Sequence, residues 1–318
     1  MVYRNESVPL DRIDLGNLFF RISTPAGEDR LTASIASLGV VNPPVVFETE
    51  SGLTVISGFK RLNSCRQLGM EDVPVRILPP DTPLIQLIRT AITDNALQRP
   101  LNLLELSRAF HLLYKHMADY NQVTKEAASL GLPDNPSYIR KIVPLCRFLQ
   151  AIQDGIISDA IPLATAIHLA RMPASMANRF AELFNTLAVS LGKQREIIQM
   201  TEEIAAREDL EIDRVLEDAW RQSRGVEGER DRAQVVRDLR RYLKQRRFPH
   251  YASADMARND LIRRLRLGPG LTLKPPPAFE GNIYTFNISF HTLAELERHI
   301  TTLKRIAASP DFQMLINS

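Results

Sequence analysis

Apolar residues recur at two different periods along the chain, and the change from one to the other divides it. In the first eighty residues the apolar runs are short and bounded by turn formers, the mark of strands and brief helices. Val8, Leu10 and Ile13 predict a strand over 8–15, followed by the apolar Phe19, Phe20 and Ile22. Leu31, Ile35 and Leu38 fall at helical spacing, so a helix is expected from about Asp29 to Leu38, with Gly39 as its C-cap. Pro43-Pro44 forces an extended entry into a strand at Val45–Phe47. Leu53, Val55 and Ile56 predict the next strand, which ends at Gly58 and hands over to an amphipathic helix closing at Leu68-Gly69. Val73 to Leu78 completes the set. Residues 1–80 therefore read as an α/β unit of four short strands and two helices.

From about Thr82 the period is helical throughout. A helix over Leu84–Asn95 is interrupted at Arg99-Pro100, and Leu103, Leu106, Phe110, Leu113 and Met117 then line one helical face. A short helix, VTKEAASLG, stops at Gly131; the breaker LPDNP follows, then a helix SYIRKIVPLCRFLQAI. Short helix, turn and second helix fit a helix-turn-helix, and equally a generic helical hairpin. Further helices are expected around Leu163–Arg171, Ser175–Leu191 and Arg195–Arg207, with His168 a packed histidine rather than a ligand. Residues 201–219 are acidic and 221–247 strongly basic, with Gly225 and Gly228 as a break. The basic part could meet DNA phosphates or pair with the acidic segment before it. A Pro/Gly-rich loop, LGPGLTLKPPPAFEGN, marks a last boundary. Beyond it Ile283, Phe286, Ile288 and Phe290 alternate as a strand, and HTLAELERHITTLKRIAAS is a capped helix. One strand and one helix cannot bury a core, so this tail is expected to dock elsewhere or to pair with its copy in a dimer. The expected class is α+β. The domains are 1–81 (α/β), 82–208 (all-α), 209–268 (charged, helical) and 269–318 (strand–helix, possible dimerisation).

Composition narrows the function. The formal net charge of the 318 residues is +3, so any nucleic-acid surface is local rather than global. Cys65 and Cys146 lie far apart, outside any metal-binding spacing, which fits a reducing cytoplasm. The N-terminal stretch lacks the apolar core of a signal peptide, and no apolar run approaches the ~18 residues of a membrane helix. A soluble, cytoplasmic protein is expected. The candidate chemistry sits at Leu53–Arg66. A strand that ends in Gly58 before a helix brings backbone N–H groups to a helix N-terminus, where an anion is favoured, and Lys60 and Arg61 add full positive charge. A plain strand–turn–helix with two solvated cations is the bland alternative.

The order of motifs adds more than any one of them. Ser34-Ile35 to Gly39 matches an "SI…G" helix end. Gly39-Val40-Val41-Asn42-Pro43 matches a "GxxQP" turn, with Asn42 for Gln. Gly58-Phe59-Lys60-Arg61 matches a "GERR" box, and Leu68-Gly69 with Val73-Pro74-Val75 an "LG…VPV" run. Asp94-Asn95-Ala96-Leu97-Gln98-Arg99 followed by Leu101–Glu105 matches "ENxQR" then "LNPIE". Ser137-Tyr138-Ile139 stands where "SYV" opens a second helix. Over about residues 6–175 the chain thus resembles the ParB partition family: a ParB/sulfiredoxin-like domain followed by a helix-turn-helix domain.

The resemblance implies a nucleoid-associated protein that acts in chromosome or plasmid partition, or in transcription regulation. It implies a homodimer, binding of CTP with Mg²⁺ that closes a clamp around DNA, and a ParA-type ATPase as a possible partner. Gly58, Lys60 and Arg61 would cradle the triphosphate and Asn95 would help hold the metal. Gln98 and Arg99 would lie close to the nucleotide, and Gly39, Asn42 and Pro43 near the base. Ser137, Tyr138, Arg140 and Lys141 would face DNA.

The chain also departs from the pattern. Phe59 replaces a Glu and Lys60 an Arg, so binding with weak or no hydrolysis is expected. The third box is one residue longer, and one extra residue turns a helix by about 100°, which would displace either Asn95 or Gln98 and Arg99. The turn after Gly131 is about two residues longer than usual, and Pro144 should kink the second helix. A small-molecule kinase on the same fold, with Glu28 or Asp29 as base, is the rival enzyme. Sulfiredoxin chemistry would need a cysteine where Phe59 stands. An adaptor without either activity is the third option.

Overall fold

A computed structural model describes residues 3–24, 28–50, 52–224, 231–274 and 283–317. The chain divides into two compact units, Met1–Arg195 and Glu196–Ser318.

The first unit opens with β1 (Arg4–Pro9), a 3-10 turn at Leu10–Arg12 and β2 (Ile13–Asp14). The single strand expected over 8–15 is therefore two. Past Pro9 the chain turns, Leu10 N–H donates to Glu71 O at 2.8 Å, and β2 pairs at the far edge of the sheet. Then come α1 (Glu28–Leu38), β3 (Val45–Thr49), β4 (Gly52–Ser57), α2 (Phe59–Gln67) and β5 (Asp72–Leu78). The sheet order is β1-β5-β3-β4-β2. β1 with β5 and β3 with β4 are antiparallel; β3 with β5 and β2 with β4 are parallel. A register shift between Val45 and Val46 leaves both of these neighbours buried, as a bulge permits. Val55, Ile56, Val73, Val75, Ile35, Leu62 and Cys65 complete the apolar interior of this part. Thr32 on α1 donates to Ser64 Oγ of α2 at 2.8 Å.

Helices continue the same unit: α3 (Leu84–Ala96), α4 (Leu103–Met117), α5 (Tyr120–Ser129), α6 (Pro136–Ile142), a 3-10 turn at Leu145–Arg147, α7 (Gln150–Ile157), α8 (Leu163–Leu169), α9 (Ala174–Leu187) and α10 (Leu191–Glu208), whose second half lies in the second unit. α4 is the axis of this part, packed by α3, α5, α6 and α7 around Leu104, Phe110 and Leu113. The single helix expected from Ser137 past Pro144 is three pieces, because Pro144 has no N–H to continue it. Ser107 of α4 repairs the break: its Oγ donates to Val143 O at 3.2 Å and accepts from Cys146 N–H at 2.8 Å.

Glu105 ties the helical part to the α/β part. Its side chain is fully buried, accepts both terminal nitrogens of Arg99 at 2.7 Å, and takes the N–H groups of Thr24 and Asn102 at 3.0 and 3.1 Å. Asn102 completes a capping box with it at the start of α4. Arg108, one turn on, donates to Ser23 O at 2.7 Å, so the segment before α1 is pinned twice.

In the second unit, α11 (Ile212–Arg224) and α12 (Arg232–Arg247) pack together, followed by α13 (Pro249–Arg264), β6 (Leu271–Lys274), β7 (Thr285–Ile288), α14 (Leu293–Ala307) and α15 (Pro310–Asn317). The basic stretch is answered by the acidic one. Arg240 and Lys244 hold Glu196 at 2.6 and 3.0 Å, Arg246 holds Glu208 at 2.7 Å and Asp218 at 3.0 Å, and Arg247 pairs with Glu203. Gly225 and Gly228 lie outside the described residues. So does 275–282 of the last loop, but Leu271–Lys274, expected in that loop, is a strand antiparallel to β7. The tail therefore has its own core of Leu265, Leu271, Leu273, Ile306 and Leu315, against which Phe286 and Phe312 pack. A strand and helix alone could not have built it.

Burial alone would push the Glu105 carboxyl up, but hydrogen bonds from Arg99, Thr24 and Asn102 outweigh it and hold it at about 2. The stability it contributes is complete above its ordinary value of 4.5 and is lost as the pH falls towards 2. Glu105→Gln strands the Arg99 guanidinium and should cost about 3 kcal/mol at neutral pH. Denaturation of both proteins across an acid series should show the gap narrowing below pH 4.5.

Candidate functional site

β4 ends at Ser57, and Gly58 turns the chain into α2 with φ 95° and ψ 21°, a left-handed conformation that favours glycine. Space demands glycine as well: a Cβ there would lie 2.8 Å from Pro44 Cβ and 2.9 Å from Pro44 Cα. Gly58 has no side chain to cap the helix, so the first-turn N–H groups of α2 remain available to an outside acceptor.

Beside this turn lies a cavity of about 300 Å³. Three separated stretches line it: Gly39 to Asn42 after α1, Gly58 to Arg61 at the start of α2, and Asn95, Gln98 and Arg99 at the end of α3. Leu31, Ser34 and Ile35 of α1 and Ser23 complete the wall. Gly39, Asn42, Gly58, Lys60, Arg61, Asn95, Gln98 and Arg99 are thus brought together, while Pro43 is not on the wall. Pro43 instead offers its carbonyl to Arg61 and Arg76. The described lining carries three cationic side chains and no carboxylate.

The cations are held by acids set back from the wall. Asp94 accepts Arg61 Nη2 at 2.8 Å and the Ser57 hydroxyl, and Arg76 Nη2 stands 3.9 Å away. Arg61 Nη1 donates to Asn42 O at 2.5 Å, and Arg76 Nη2 to Asn42 Oδ1 at 3.0 Å. The turn at 42–43 is therefore fixed by two arginines that share one carboxylate. Arg99 is held by Glu105 in the same way. Asn95 Nδ2 donates to Ala91 O at 2.7 Å within α3.

The extra residue of the third box does not displace Gln98 or Arg99. α3 ends at Ala96, so the insertion is absorbed as the helix terminates; Leu97 is 81% exposed, and Asn95, Gln98 and Arg99 share one cavity. Phe59 is buried in the core, which accounts for an apolar residue at that point of the box. Reading the sequence missed Ser57 and Arg76 as partners in this site. Arg76 sits between the buried Val75 and Ile77, and this alternation marks it only as polar-facing on a strand.

Elsewhere, Ser137, Arg140 and Lys141 on α6 are exposed and Tyr138 is half-buried. Asn135 caps this helix, accepting Tyr138 N–H at 3.0 Å, and the Arg140 guanidinium lies 5.3 Å from the Tyr120 ring centre. Asp29 is exposed at the start of α1 and is not on the cavity wall; the Glu28 side chain lies outside the described residues.

No family model matches the chain. Nucleoid occlusion proteins of Listeria monocytogenes, from serotype 4a strain HCC23 and serotype 4b strain CLIP80459, are each 26% identical to it over 164 residues, 50% of the chain. These are ParB-family proteins. The sequence likeness supports a divergent ParB-type protein. The chain spans about half the length of the curated relatives it matches, 54% and 55%. Among solved structures, C-terminally truncated ParB of Caulobacter crescentus with CTP-gamma-S covers 57% of the chain and 98% of its own length, at 17% identity and TM-score 0.25. The same protein with the centromeric parS site covers 59% and 96%, at 16% and 0.32. A Pnob8-like ParB-N domain covers 61% and 92%, at 14% and 0.38.

Gly58→Ala should be among the most damaging small substitutions in the first unit. The left-handed backbone alone costs about 1–3 kcal/mol, and the contact with Pro44 adds to it. Chemical denaturation should show the loss, whereas Gly39→Ala, where a Cβ meets nothing within 4 Å, should cost only the conformational part.

Proposed function

We propose that the chain is a ParB-like DNA-binding protein that works as a dimeric, CTP-dependent clamp in partition or transcription regulation. The observation that carries this is convergence. Three boxes far apart in the sequence meet at one cavity rich in cations and free of carboxylates among its described lining residues. A triphosphate is the kind of ligand such a wall suits, with Lys60, Arg61 and Arg99 as charges and the N-terminus of α2 as a source of backbone donors. Gly39 and Asn42 would meet the base side, and Gln98 the neighbouring part of the nucleotide.

Binding without turnover is the expected behaviour. Phe59 is in the core where the family has an acid, and the two nearby carboxylates, Asp94 and Glu105, are occupied by arginines. The same point weighs against a small-molecule kinase, which needs a carboxylate base at the cavity. For DNA, α5 and α6 would act as the helix-turn-helix, with Ser137, Tyr138, Arg140 and Lys141 at the duplex. The basic stretch of the second unit is committed to its acidic neighbours and is a poorer candidate. A ParA-type ATPase as partner and the nucleoid as the place of action belong to the same reading.

Calorimetry in Mg²⁺ buffer should show CTP binding in the micromolar range, weakened roughly tenfold in Lys60→Ala. Lys60 is the better probe because Arg61→Ala also frees Asp94 and the 42–43 turn. No heat with CTP, ATP or ADP would reject the nucleotide. DNA retention should fall steeply with salt, and Arg140→Ala with Lys141→Ala should reduce the slope of log affinity against log salt by about two. A filter assay without signal even at low salt would leave the adaptor reading.

A further inference from the structure

We infer that this cavity takes its nucleotide without a divalent cation, the protein's own cations standing where a metal would otherwise neutralise the phosphates. The inference rests on the nucleotide reading above. Mg²⁺ demands near-octahedral oxygen coordination and is usually held by one or two carboxylates in addition to substrate phosphates. None of the described lining residues is a carboxylate. Among the described residues there is also no group of three His, Cys, Asp or Glu that could hold a metal ion.

The two acids close behind the wall are not available. Asp94 belongs to the wall of a separate cavity with Tyr3, Val45 and Arg76, and its oxygens hold Ser57 and Arg61, with Arg76 at 3.9 Å. Turning it to a metal would leave Arg61, 12% exposed, without its carboxylate and loosen the turn at Asn42. Glu105 has no exposed surface and is saturated by Arg99, Thr24 and Asn102. Asn95, the residue expected to hold Mg²⁺, anchors its amide nitrogen on Ala91 O and contributes one neutral oxygen. A dication would thus enter beside Lys60, Arg61 and Arg99 with one neutral protein ligand, and like charges at such range repel. A triphosphate meeting the same wall needs no such intermediary.

The test is CTP titration of the full chain by calorimetry in excess EDTA and in excess Mg²⁺. The expected result is a dissociation constant in EDTA equal to or lower than that in Mg²⁺, because Mg²⁺ in solution competes with the protein for the phosphates. A value about threefold or more higher in EDTA overturns the inference while leaving nucleotide binding intact. No binding in either buffer overturns the nucleotide reading itself and the inference with it. A variant supplies an independent readout. Lys60→Ala removes a cation that stands in for the metal, so Mg²⁺ should improve CTP binding by this variant although it does not improve binding by the parent protein. Mg²⁺ dependence equal in both, with tighter binding in Mg²⁺, would show a metal site built elsewhere in the pocket and overturn the inference.

Discussion

The carboxylate of Asp94 is the point on which the first unit's cavity depends. It lies on α3, yet it holds Ser57 at the end of β4 and Arg61 on α2, with Arg76 of β5 alongside. Through the two arginines it also sets the turn at Asn42 and Pro43. Four separate stretches of chain therefore take their relative positions from one partly buried charge. Removing one member of such a set leaves the others desolvated and unmatched, so the group stands or falls together. Glu105 repeats the device one helix later, joining Arg99, Thr24 and the start of α4. Both acids lie behind cavity-lining cations, which fixes those cations while keeping negative charge off the wall.

Much of this was legible in the sequence, and the limits have physical causes. The strands at Val45, Leu53 and Val73 and the helices of the first 120 residues declare themselves through periodicity, since each buries a continuous apolar face. Gly58 was legible as a turn, but the approach of Pro44 that excludes a Cβ is a tertiary fact. Pro144 was legible as a fault in a helix. That it ends the helix outright depends on Ser107, far back in the sequence, being there to satisfy the freed groups. Asp94 was legible as part of a box and not as a hub, because its partners lie on β4, α2 and β5. Leu271–Lys274 reads as loop because glycines and prolines surround it, and it becomes a strand only when Thr285–Ile288 is beside it.

The charged half of the chain teaches the complementary lesson. A dense run of arginines suggests an anionic partner, yet Arg240, Lys244, Arg246 and Arg247 find theirs within the same unit, on the acidic helix that precedes them. Each such pair is worth little where it is exposed. Collectively they remove the local positive field that a phosphate backbone would need. The cations of α6 differ in kind: Arg140 and Lys141 are exposed on a short helix whose other face, Ile139 and Ile142, is buried in the α4 core.

The same distinction bears on the cavity. A binding site can balance a polyanion either by importing a metal, which requires acids on its wall, or by presenting its own cations, which requires acids kept off it. Those designs exclude each other, because a carboxylate that neutralises Arg61 cannot also ligate a dication without abandoning the arginine. Here Asp94 and Glu105 are both spent on arginines, and the extra residue after Asn95 is absorbed without bringing a third acid to the wall. The replacement of an acid by Phe59 belongs to the same arrangement. With that position given to the core, the wall of this cavity, among its described residues, carries positive charge and neutral donors alone.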